Sequence, residues 1–449
     1  MSYQVPINNK DKIFLINRSD IQERFDAQFY KEHFNFDGYV RLNNFVSVQG
    51  GKRIPKGMDY CLQETPFLYL RVADIMEDSS VDYTRLRNID DLVFKALERY
   101  ELHNGELVIS IAGTIGKVYF AKDIPINKKV ILTENCAKLV VNDKDVLPEY
   151  LSIILQMPIL KRQIELNYIQ TTIPKMGLDR IGRLMIPPIP SVEKQREIID
   201  FYYSSVDNRR QKYNESRQLL YSIDEYILEN LGIALPKLNN SINDRIFTTT
   251  FKEVIGGRFD PVKVLYLGDN AKSSIFPNVK LKHIASIEKG QSITSDEVIE
   301  GPYPVIAGGQ TSPYSHNEYN FAGNVITVSA SGAYSGYVWY HATPIFASDC
   351  SVIQSKDKDK FMTKYIYEVL KAQQKQVYLL QQGAGQPHDY PDDLGKLWIP
   401  VVSLTKQQEI VQHITAIRQQ AKALQEEGKA ILEQAKKEVE AMIIYDKKN

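Results

Sequence analysis

The stretch "IPSVEKQREII" (Ile189–Ile199) is written a second time in this chain, as "VSLTKQQEIV" (Val402–Val411). Each copy stands directly before a polar segment of about 40 residues that contains no proline. Ser191 and Ser403 are placed where a side chain can accept a hydrogen bond from an unpaired backbone N–H at the start of a helix. The two copies therefore predict two long helices that begin in the same way.

The duplication continues upstream of both helices. Matched segments follow one another in the same order, and the spacing between them changes, so loops have changed length within a common frame. The pairs are Ile13–Phe14 and Arg24–Asp26 with Ile246–Phe247 and Arg258–Asp260; "RLNNFVSVQGGKRI" (Arg41–Ile54) with "KLKHIASIEKGQSI" (Lys280–Ile293); "SIAGTIGKVYF" (Ser110–Phe120) with "SASGAYSGYVWY" (Ser329–Tyr340); "NCAKLV" (Asn135–Val140) with "DCSVIQ" (Asp349–Gln354); and "IGRLMIP" (Ile181–Pro187) with "LGKLWIP" (Leu394–Pro400).

Each copy has the same predicted anatomy. Short alternating apolar segments between Gly, Pro and Asn predict strands, and the two "SIAG" and "SASG" segments predict a strand, a tight glycine turn and a second strand. A short helix follows in each copy, and Cys136 and Cys350 occupy equivalent strand positions, which indicates a buried role. We predict an α+β fold with two pseudo-repeated, β-rich α/β units joined by the two long helices.

Apolar residues in the long helices recur every seven positions, which is typical of helices that pack along a seam. The first helix carries the row Ile199, Val206, Tyr213, Leu220 and Ile227; the second carries the rows Ile410, Ile417, Leu424 and Ile431, and Ile414, Ala421, Gly428, Ala435 and Met442. At about 1.5 Å per residue, each helix would be roughly 60 Å long. We predict that the two long helices pack on each other, with a helix lying on the surface of its own unit as the alternative.

Composition limits the class of protein. The chain has 449 residues and a formal net charge of zero, with 55 basic and 55 acidic side chains. It contains no apolar run near the roughly 20 residues that a membrane span needs, and its start lacks the pattern of a signal peptide. Three scattered cysteines fit a reducing compartment, so a cytoplasmic location without membrane attachment is expected. A neutral chain that binds DNA would need a partner to supply part of the phosphate contacts.

Catalytic signatures are weak. "GTIGK" (Gly113–Lys117) lacks the first glycine and the final Ser/Thr of a phosphate-binding loop, so a glycine turn between strands is favoured. The seven histidines show no metal-ligand spacing. No catalytic residue and no metal site are predicted.

What remains is polar and basic loop chemistry. "RLNNFVSVQGGKRIPKG" carries four cations and no acid, and its Gly50–Gly51 pair would let the backbone approach a ligand. Gln, Ser, Lys and Arg side chains are those that read base edges and phosphates. The candidate DNA-binding residues are Arg41, Lys52, Arg53, Lys56, Lys117, Gln170, Thr172 and Lys175 in the first copy, and Lys289, Gln291, Gln310, Tyr314, Tyr334, Gln386 and His388 in the second. For each loop, a merely solvated surface is the alternative.

Taken together, these segments resemble the specificity subunit of type I restriction–modification systems over nearly the whole chain. The resemblance rests on "GELVISIAGTIGKVYF" (Gly105–Phe120), "FLYLRVADI" (Phe67–Ile75), "PYPVIAGGQ" (Pro302–Gln310) and the two helix entries. It implies a first target-recognition domain over 1–190, a spacer helix over 191–232, a second recognition domain over 233–402 and a second spacer helix over 403–449. It also implies that the two spacer helices pack as an antiparallel coiled coil.

The resemblance also implies a non-catalytic function. Each recognition domain would read one half of an asymmetric, bipartite target in double-stranded DNA, and the helices would bind two methyltransferase (modification) subunits. This chain would bind no cofactor. S-adenosylmethionine would be held by the modification subunits, and ATP and Mg by restriction (motor-nuclease) subunits.

Three alternatives stay open. The chain could serve a type IIB-like system with a fused methylase and nuclease. It could be a coiled-coil structural adaptor that binds no DNA. It could also be an enzyme on a β-rich scaffold, directed at carbohydrate through its many tyrosines.

Overall fold

The computed structural model describes residues 15–16, 18, 21, 36–167, 174–235, 246, 248–251, 274–381 and 391–445. The chain divides into two compact units. Unit 1 comprises Met1–Lys212 and Glu426–Asn449, and unit 2 comprises Tyr213–Gln425. Most of the first predicted repeat pair, including Arg24–Asp26 and Arg258–Asp260, lies outside the described residues.

In the part of unit 1 that the structure describes, ten short strands form three sheets. The strands are β1 (Val40–Arg41), β2 (Val46–Gly50), β3 (Phe67–Leu70), β4 (Arg87–Asn88), β5 (Glu101–Leu102), β6 (Leu107–Ser110), β7 (Val118–Phe120), β8 (Lys129–Leu132), β9 (Cys136–Val141) and β10 (Met185–Ile186). An antiparallel sheet has the order β2-β9-β6-β7, a mixed sheet has the order β4-β3-β8-β5 with β3 and β8 parallel, and β1 pairs with β10.

The described residues of unit 1 also form short helices outside the two long ones. They are α1 (Asp91–Leu97), α2 (Pro148–Ile154), α3 (Pro158–Asn167) and α4 (Leu178–Gly182). The single helix predicted after β9 is therefore two helices, α2 and α3. Pro158 begins the second of them, and proline is well tolerated in the first turn of a helix because its missing N–H has no intrahelical partner there.

Unit 2 repeats this architecture. Its strands are β11 (Asn278–Lys280), β12 (Ala285–Lys289), β13 (Tyr303–Ile306), β14 (Ser315–His316), β15 (Val325–Ser329), β16 (Val338–His341), β17 (Phe346–Ala347), β18 (Cys350–Ser355) and β19 (Trp398–Pro400). The sheet orders are β12-β18-β15-β16 and β14-β13-β17, with β13 and β17 parallel, and β11 pairs with β19. Its helices are α5 (Leu281–Ile284), α6 (Thr363–Ala372), α7 (Gln374–Leu379) and α8 (Pro391–Leu394).

The two units agree in strand register, which confirms the sequence repeat. Cys136 pairs with Ser110 in unit 1, and Cys350 pairs with Ser329 in unit 2. Both cysteines are buried, and burial raises the pKa of each thiol to about 12. The glycine turn between strands is also present twice, at 111–117 and 330–337, so "GTIGK" is a turn, as predicted.

The two long helices are present with the expected length. They are the first long helix, Val192–Leu231, and the second long helix, Leu404–Tyr445. The hydroxyl of Ser191 accepts a hydrogen bond from the Lys194 N–H at 3.4 Å, and that of Ser403 from the Lys406 N–H at 3.2 Å. Both predicted caps are confirmed.

A buried glutamine explains why the chain repeats its helix entry. The Gln195 carboxamide accepts from the Leu147 N–H at 2.8 Å and donates to the Asp145 and Pro190 carbonyls. Gln407 makes the same three bonds in unit 2, with the Met362 N–H and the Lys360 and Val402 carbonyls. Both glutamines are fully buried. Each one ties the start of a long helix to the loop that precedes the short helices of its own unit.

Within unit 1, the first long helix packs against the second. Tyr202 and Val206 share a core cluster with Leu432 and Val439. Nearer the unit's boundary, Lys212 and Glu427 form an ion pair at 3.1 Å. Within unit 1 the two long helices therefore run antiparallel to one another.

Within unit 2, the same two helices make a second set of contacts. Ile223 and Ile227 share a core cluster with Ile410 and Ile414. The Gln425 amide donates to the Ser216 hydroxyl at 3.0 Å, and the rings of Tyr226 and His413 lie 4.2 Å apart. The helices run in opposite directions here as well.

Not every predicted seam residue is buried. In the second long helix, Ile414, Ala421, Gly428 and Ala435 are buried, with Met442 partly buried, so this row faces the interior. The row Ile410, Ile417, Leu424 and Ile431 is buried only at Ile410. In the first long helix, Leu220 is 40% exposed, and Ser216 and Ile223 are buried instead. The prediction for Leu220 was wrong: the seam in this part of the helix passes through Ser216, Ile223 and Ile227, and Ser216 bonds Gln425.

Candidate nucleic-acid interface

Unit 1 contains a cleft where several strands end. The loop after β2, the short 3₁₀ turn Val72–Asp74 after β3, the glycine turn between β6 and β7 and the connection from β8 to β9 all line it. Its volume is about 650 Å³, within the range of about 300–1,000 Å³ typical of sites for small molecules. The sequence places polar loops at these strand ends, and the fold brings them together.

Arg53 and Glu134 form the central ion pair of this cleft. The Arg53 Nε donates to the Glu134 Oε1 at 2.5 Å. The Glu134 carboxylate also accepts from the Thr133 hydroxyl at 3.0 Å, and the Tyr69 hydroxyl lies 3.4 Å from it. Burial opposes ionisation of Glu134, but the hydrogen bonds from Arg53, its own backbone and Thr133 outweigh it, so its pKa is lowered. Glu134 therefore stays ionised and holds Arg53 in one place.

The other cations of the cleft have partners in the protein. Arg71 binds Asp74 through two nitrogens, at 2.7 and 3.0 Å. The Lys117 ammonium donates to the Ile75 carbonyl at 2.6 Å and lies 3.5 Å from that of Val72. Lys117 therefore secures the turn after β3, which limits its capacity to bind a phosphate.

The glycine pair of the first loop has a structural explanation. A Cβ on Gly51 would lie 2.1 Å from the Thr133 carbonyl oxygen, so only glycine fits where the loop passes the β8–β9 connection. Gly290 is the equivalent of Gly51 in unit 2, and a Cβ there would lie 2.1 Å from the Ser348 carbonyl oxygen. The sequence predicted that the backbone at Gly51 approaches a ligand. In the structure, the close approach is to the protein's own backbone instead.

The remaining candidates of unit 1 are distributed differently. Lys52 is exposed beside the cleft, and its carbonyl accepts from the Tyr69 hydroxyl at 2.7 Å. Lys175 is exposed and forms a backbone bridge with Ala112, next to the glycine turn. Lys56 lies in a turn at 55–58, and Arg41 lies in β1, paired with Met185 and not among the lining residues. Gln170 and Thr172 lie outside the described residues.

In unit 2, some of the candidates cluster around Tyr378. Gln310 is hydrogen bonded to Tyr378, and Tyr334 lies close to it. Burial raises the pKa of Tyr378, and the bond with Gln310 opposes that rise. Lys289 and Gln291 are exposed at the end of β12. Tyr314 is 53% exposed before β14, and Gln386 and His388 lie outside the described residues.

Sequence reasoning missed two features of these sites. Glu134 was not among the predicted site residues, because nothing in the local sequence connects it to Arg53, and only the fold brings the two together from 81 positions apart. "FLYLRVADI" and "PYPVIAGGQ" were not recognised as a repeat pair, although β3 and β13 occupy equivalent places. β3 pairs with β8 and β13 pairs with β17, both in parallel, which shows that the two segments are equivalent although their residues differ.

The comparisons with known proteins agree with this architecture. The family model for the type I restriction modification DNA specificity domain matches residues 38–215 and again 276–434. The chain belongs to this family, and the two matched stretches correspond to the two copies of the repeat.

Individual relatives are distant. A putative type I specificity subunit of Mycoplasma pneumoniae is 29% identical over 106 residues, which is 22% of this chain and 35% of that protein. The matched stretch thus spans about a third of that relative.

The fold also resembles solved structures. A chain from a study of complex assembly and conformational transition of the type I restriction–modification system has a TM-score of 0.50 at 14% identity, over 90% of this chain and 96% of that one. A type I specificity subunit from M. genitalium has a TM-score of 0.42 at 13% identity, with 90% and 95% covered.

No helix among the described residues is long and apolar enough to cross a membrane.

Proposed function

We propose that this chain is the DNA-recognition subunit of a type I restriction–modification complex, and that each unit reads one half of an asymmetric, bipartite target. One observation carries the proposal: the four-stranded antiparallel sheet has the same strand order and register in both units, while the loops at the strand ends differ in chemistry. A repeated fold that carries different loop side chains is what two domains that recognise two different DNA sequences would need. The four parts at 1–190, 191–232, 233–402 and 403–449 are the proposed recognition domains and spacers.

The long helices are the proposed binding surface for two modification subunits. Together they would form an antiparallel coiled coil, since small residues at 421, 428 and 435 let two helix backbones approach closely. Each helix contributes to both units, so one continuous pair of helices can bind the same partner twice. The proposed partners are these modification subunits, the restriction subunits and double-stranded DNA.

We infer no catalytic role for this chain. The side chains of the unit 1 cleft bind one another or the backbone, which suits recognition better than turnover. In this proposal S-adenosylmethionine is held by the modification subunits, and ATP and Mg by the restriction subunits. The proposed location is the cytoplasm, where the DNA is.

Methylome sequencing tests the proposal directly. The chain is co-expressed with its cognate modification subunits, and methylated adenines are mapped with and without it. The expected result is one bipartite motif that appears only when this chain is present. A methylation pattern that is unchanged by its deletion would refute the proposal.

A gel shift separates the proposal from the adaptor alternative. A chain bound to its modification subunits should retain a duplex that contains the mapped motif, and should release it when either half is scrambled. An adaptor would give the same weak binding for all three duplexes.

A further inference from the structure

The unit 1 cleft contains an arginine that the fold holds outward. The Arg53 side chain is 80% exposed, yet its Nε is fixed by Glu134 at 2.5 Å. The bond uses the inner nitrogen and leaves the flat outer edge of the guanidinium, with its two terminal nitrogens, on the exposed side. An exposed arginine normally samples many rotamers, so this arrangement removes conformational freedom before any ligand binds.

Glu134 is itself held rigidly. Its carboxylate accepts from the Thr133 hydroxyl, the Tyr69 hydroxyl lies beside it at 3.4 Å, and its side chain is only 28% exposed. Tyr69 is anchored in turn by its bond to the Lys52 carbonyl. A chain of contacts therefore connects the buried strands β3 and β8 to the orientation of one exposed guanidinium.

Such a side chain suits a base edge better than a phosphate. Arginine offers two parallel donors that match two adjacent acceptors, whether these belong to a phosphate or to a base edge. The Glu134 carboxylate paired with Arg53 would repel a charged phosphate, whereas it does not oppose a neutral base edge. In the major groove only guanine presents two acceptors, O6 and N7, side by side. Glu134 also neutralises part of the charge of Arg53, which weakens non-specific attraction to DNA while leaving the donors in place.

We propose that Arg53, positioned by Glu134, is a specificity-determining residue of unit 1 and selects guanine at one position of the first half of the target. This rests on the proposed function of the chain as a DNA-recognition subunit. Arg53 makes the base contact, and Glu134 acts as a positioning residue behind it.

Unit 2 provides an internal contrast. Ser292 occupies the place of Arg53 in the repeat, and the connection before β18 contains a single acid, Asp349. The Asp349 carboxylate accepts from the Ser331 hydroxyl. Among the described residues, no lysine or arginine forms an ion pair with it. The equivalent place in unit 2 thus has no arginine fork, and the guanine selection should belong to the first half alone.

The test compares methylation motifs of the full chain, co-expressed with its cognate modification subunits. The variants are Arg53→Lys, which keeps the charge but loses the fork, and Glu134→Ala, which removes the positioning carboxylate. The matched control is Arg85→Lys, at an exposed arginine elsewhere in unit 1. A bidentate arginine–guanine pair accounts for a discrimination of about tenfold or more.

Arg53→Lys should lower the preference for guanine at one first-half position by about tenfold, while the second half and the Arg85→Lys motif stay as in the wild type. Glu134→Ala should reduce the same preference by a smaller factor and raise binding to unrelated DNA. If methylation by Arg53→Lys is too weak to map, competition gel shifts with duplexes substituted singly along the first half measure the same ratio.

An unchanged first-half motif in Arg53→Lys, or a change in the second half, would overturn the inference. These results differ from failure of the proposed function, in which the wild-type chain itself directs no motif.

Discussion

At the residue scale, Arg53 and Lys117 show why two cations in neighbouring loops differ in function. Lys117 donates to backbone carbonyls, and Arg53 is held by a carboxylate. Lys52 is exposed, and its ammonium forms no ion pair with any residue that the structure describes, so it is the cation best suited to contact phosphate. The three residues were equivalent candidates by sequence, and their partners separate them.

The Lys52→Ala variant should bind all DNA sequences more weakly and leave the methylated motif unchanged. Loss of one phosphate contact reduces the slope of log affinity against log salt by about one. Fluorescence anisotropy across a salt series, with the modification subunits bound, measures that slope. Lys144→Ala is the control, because Lys144 is exposed after the opposite end of β9 from the cleft. An unchanged slope in Lys52→Ala would mean that Lys52 is only solvated.

The three cysteines should differ in reactivity. Burial raises the pKa of the Cys136 and Cys350 thiols to about 12, so at pH 8 almost none of either is thiolate, the reactive form. Cys61 is partly exposed and donates to the Gln63 carbonyl. A thiol reagent such as DTNB should modify one cysteine per folded chain, and Cys61→Ser should abolish that reaction. Rapid modification of all three thiols in the native chain would contradict the burial of the two strands.

At the element scale, the helix entries depend on one side chain. Removing the Gln407 carboxamide leaves one N–H and two carbonyls of unit 2 without their partner. Each unsatisfied buried group costs about 1–3 kcal/mol. Some of this cost would be relieved by water, so Gln407→Ala should lower the free energy of unfolding by roughly 2–4 kcal/mol. The adjacent Gln408 is exposed, and Gln408→Ala should change the free energy of unfolding by less than about 0.5 kcal/mol.

Tryptophan fluorescence makes this measurement specific to one unit. The chain has two tryptophans, Trp339 and Trp398, and both lie in unit 2. Urea unfolding followed by their emission should shift to lower urea in Gln407→Ala, and should shift less in Gln195→Ala, which affects unit 1. Equal shifts in the two variants would show that the units unfold together.

The same fluorescence tests the close approach at Gly290. A methyl group there would lie 2.1 Å from the Ser348 carbonyl oxygen, so the backbone must move to admit it. We expect Gly290→Ala to destabilise unit 2 by about 3 kcal/mol or more, because overpacking against backbone cannot be relieved by a rotamer change. Gly309→Ala is the matched control, since its nearest neighbour would be 3.6 Å away. Similar urea midpoints for the two variants would refute the steric argument.

Elements with a strong local signal could be predicted from sequence, and their partners could not. Proline, serine and the absence of later prolines predicted both long helices, and the glycine turns predicted two hairpins. The inward position of Ser216 could not be predicted, because it depends on Gln425 arriving from the other long helix. The Arg53–Glu134 pair could not be predicted for the same reason, since no local sequence pattern connects two residues that lie at the ends of different strands.

At the scale of the whole molecule, the duplication and the zero net charge fit one another. Under the proposed function, two copies of one frame would double the length of DNA sequence that is read, and 55 basic against 55 acidic residues leave little general attraction for DNA. Base contacts would then decide where a neutral subunit binds, and the proposed modification subunits would supply the phosphate contacts. This division would prevent the recognition subunit alone from occupying unrelated DNA.

If the long helices set the gap between the two half-sites, lengthening both should lengthen the gap. Four residues are inserted after Tyr213 and four after Glu426, between the contacts Lys212–Glu427 and Ser216–Gln425, so that facing positions stay matched. Each helix grows by about 6 Å and turns by about 40° beyond one full turn. DNA advances roughly 3.4 Å per base pair.

The two half-sites should therefore keep their sequences, while the unspecified gap between them grows by one or two base pairs. The insertion also shifts the seven-residue repeat, which paired helices tolerate as a local change of winding, so some loss of stability is expected without unfolding. The methylated motif of the co-expressed variant gives the answer, and a variant with four residues in the first helix only serves as the control for mismatched helices. A constant gap in a stable, active double-insertion variant would show that the partner subunits, and not these helices, fix the spacing.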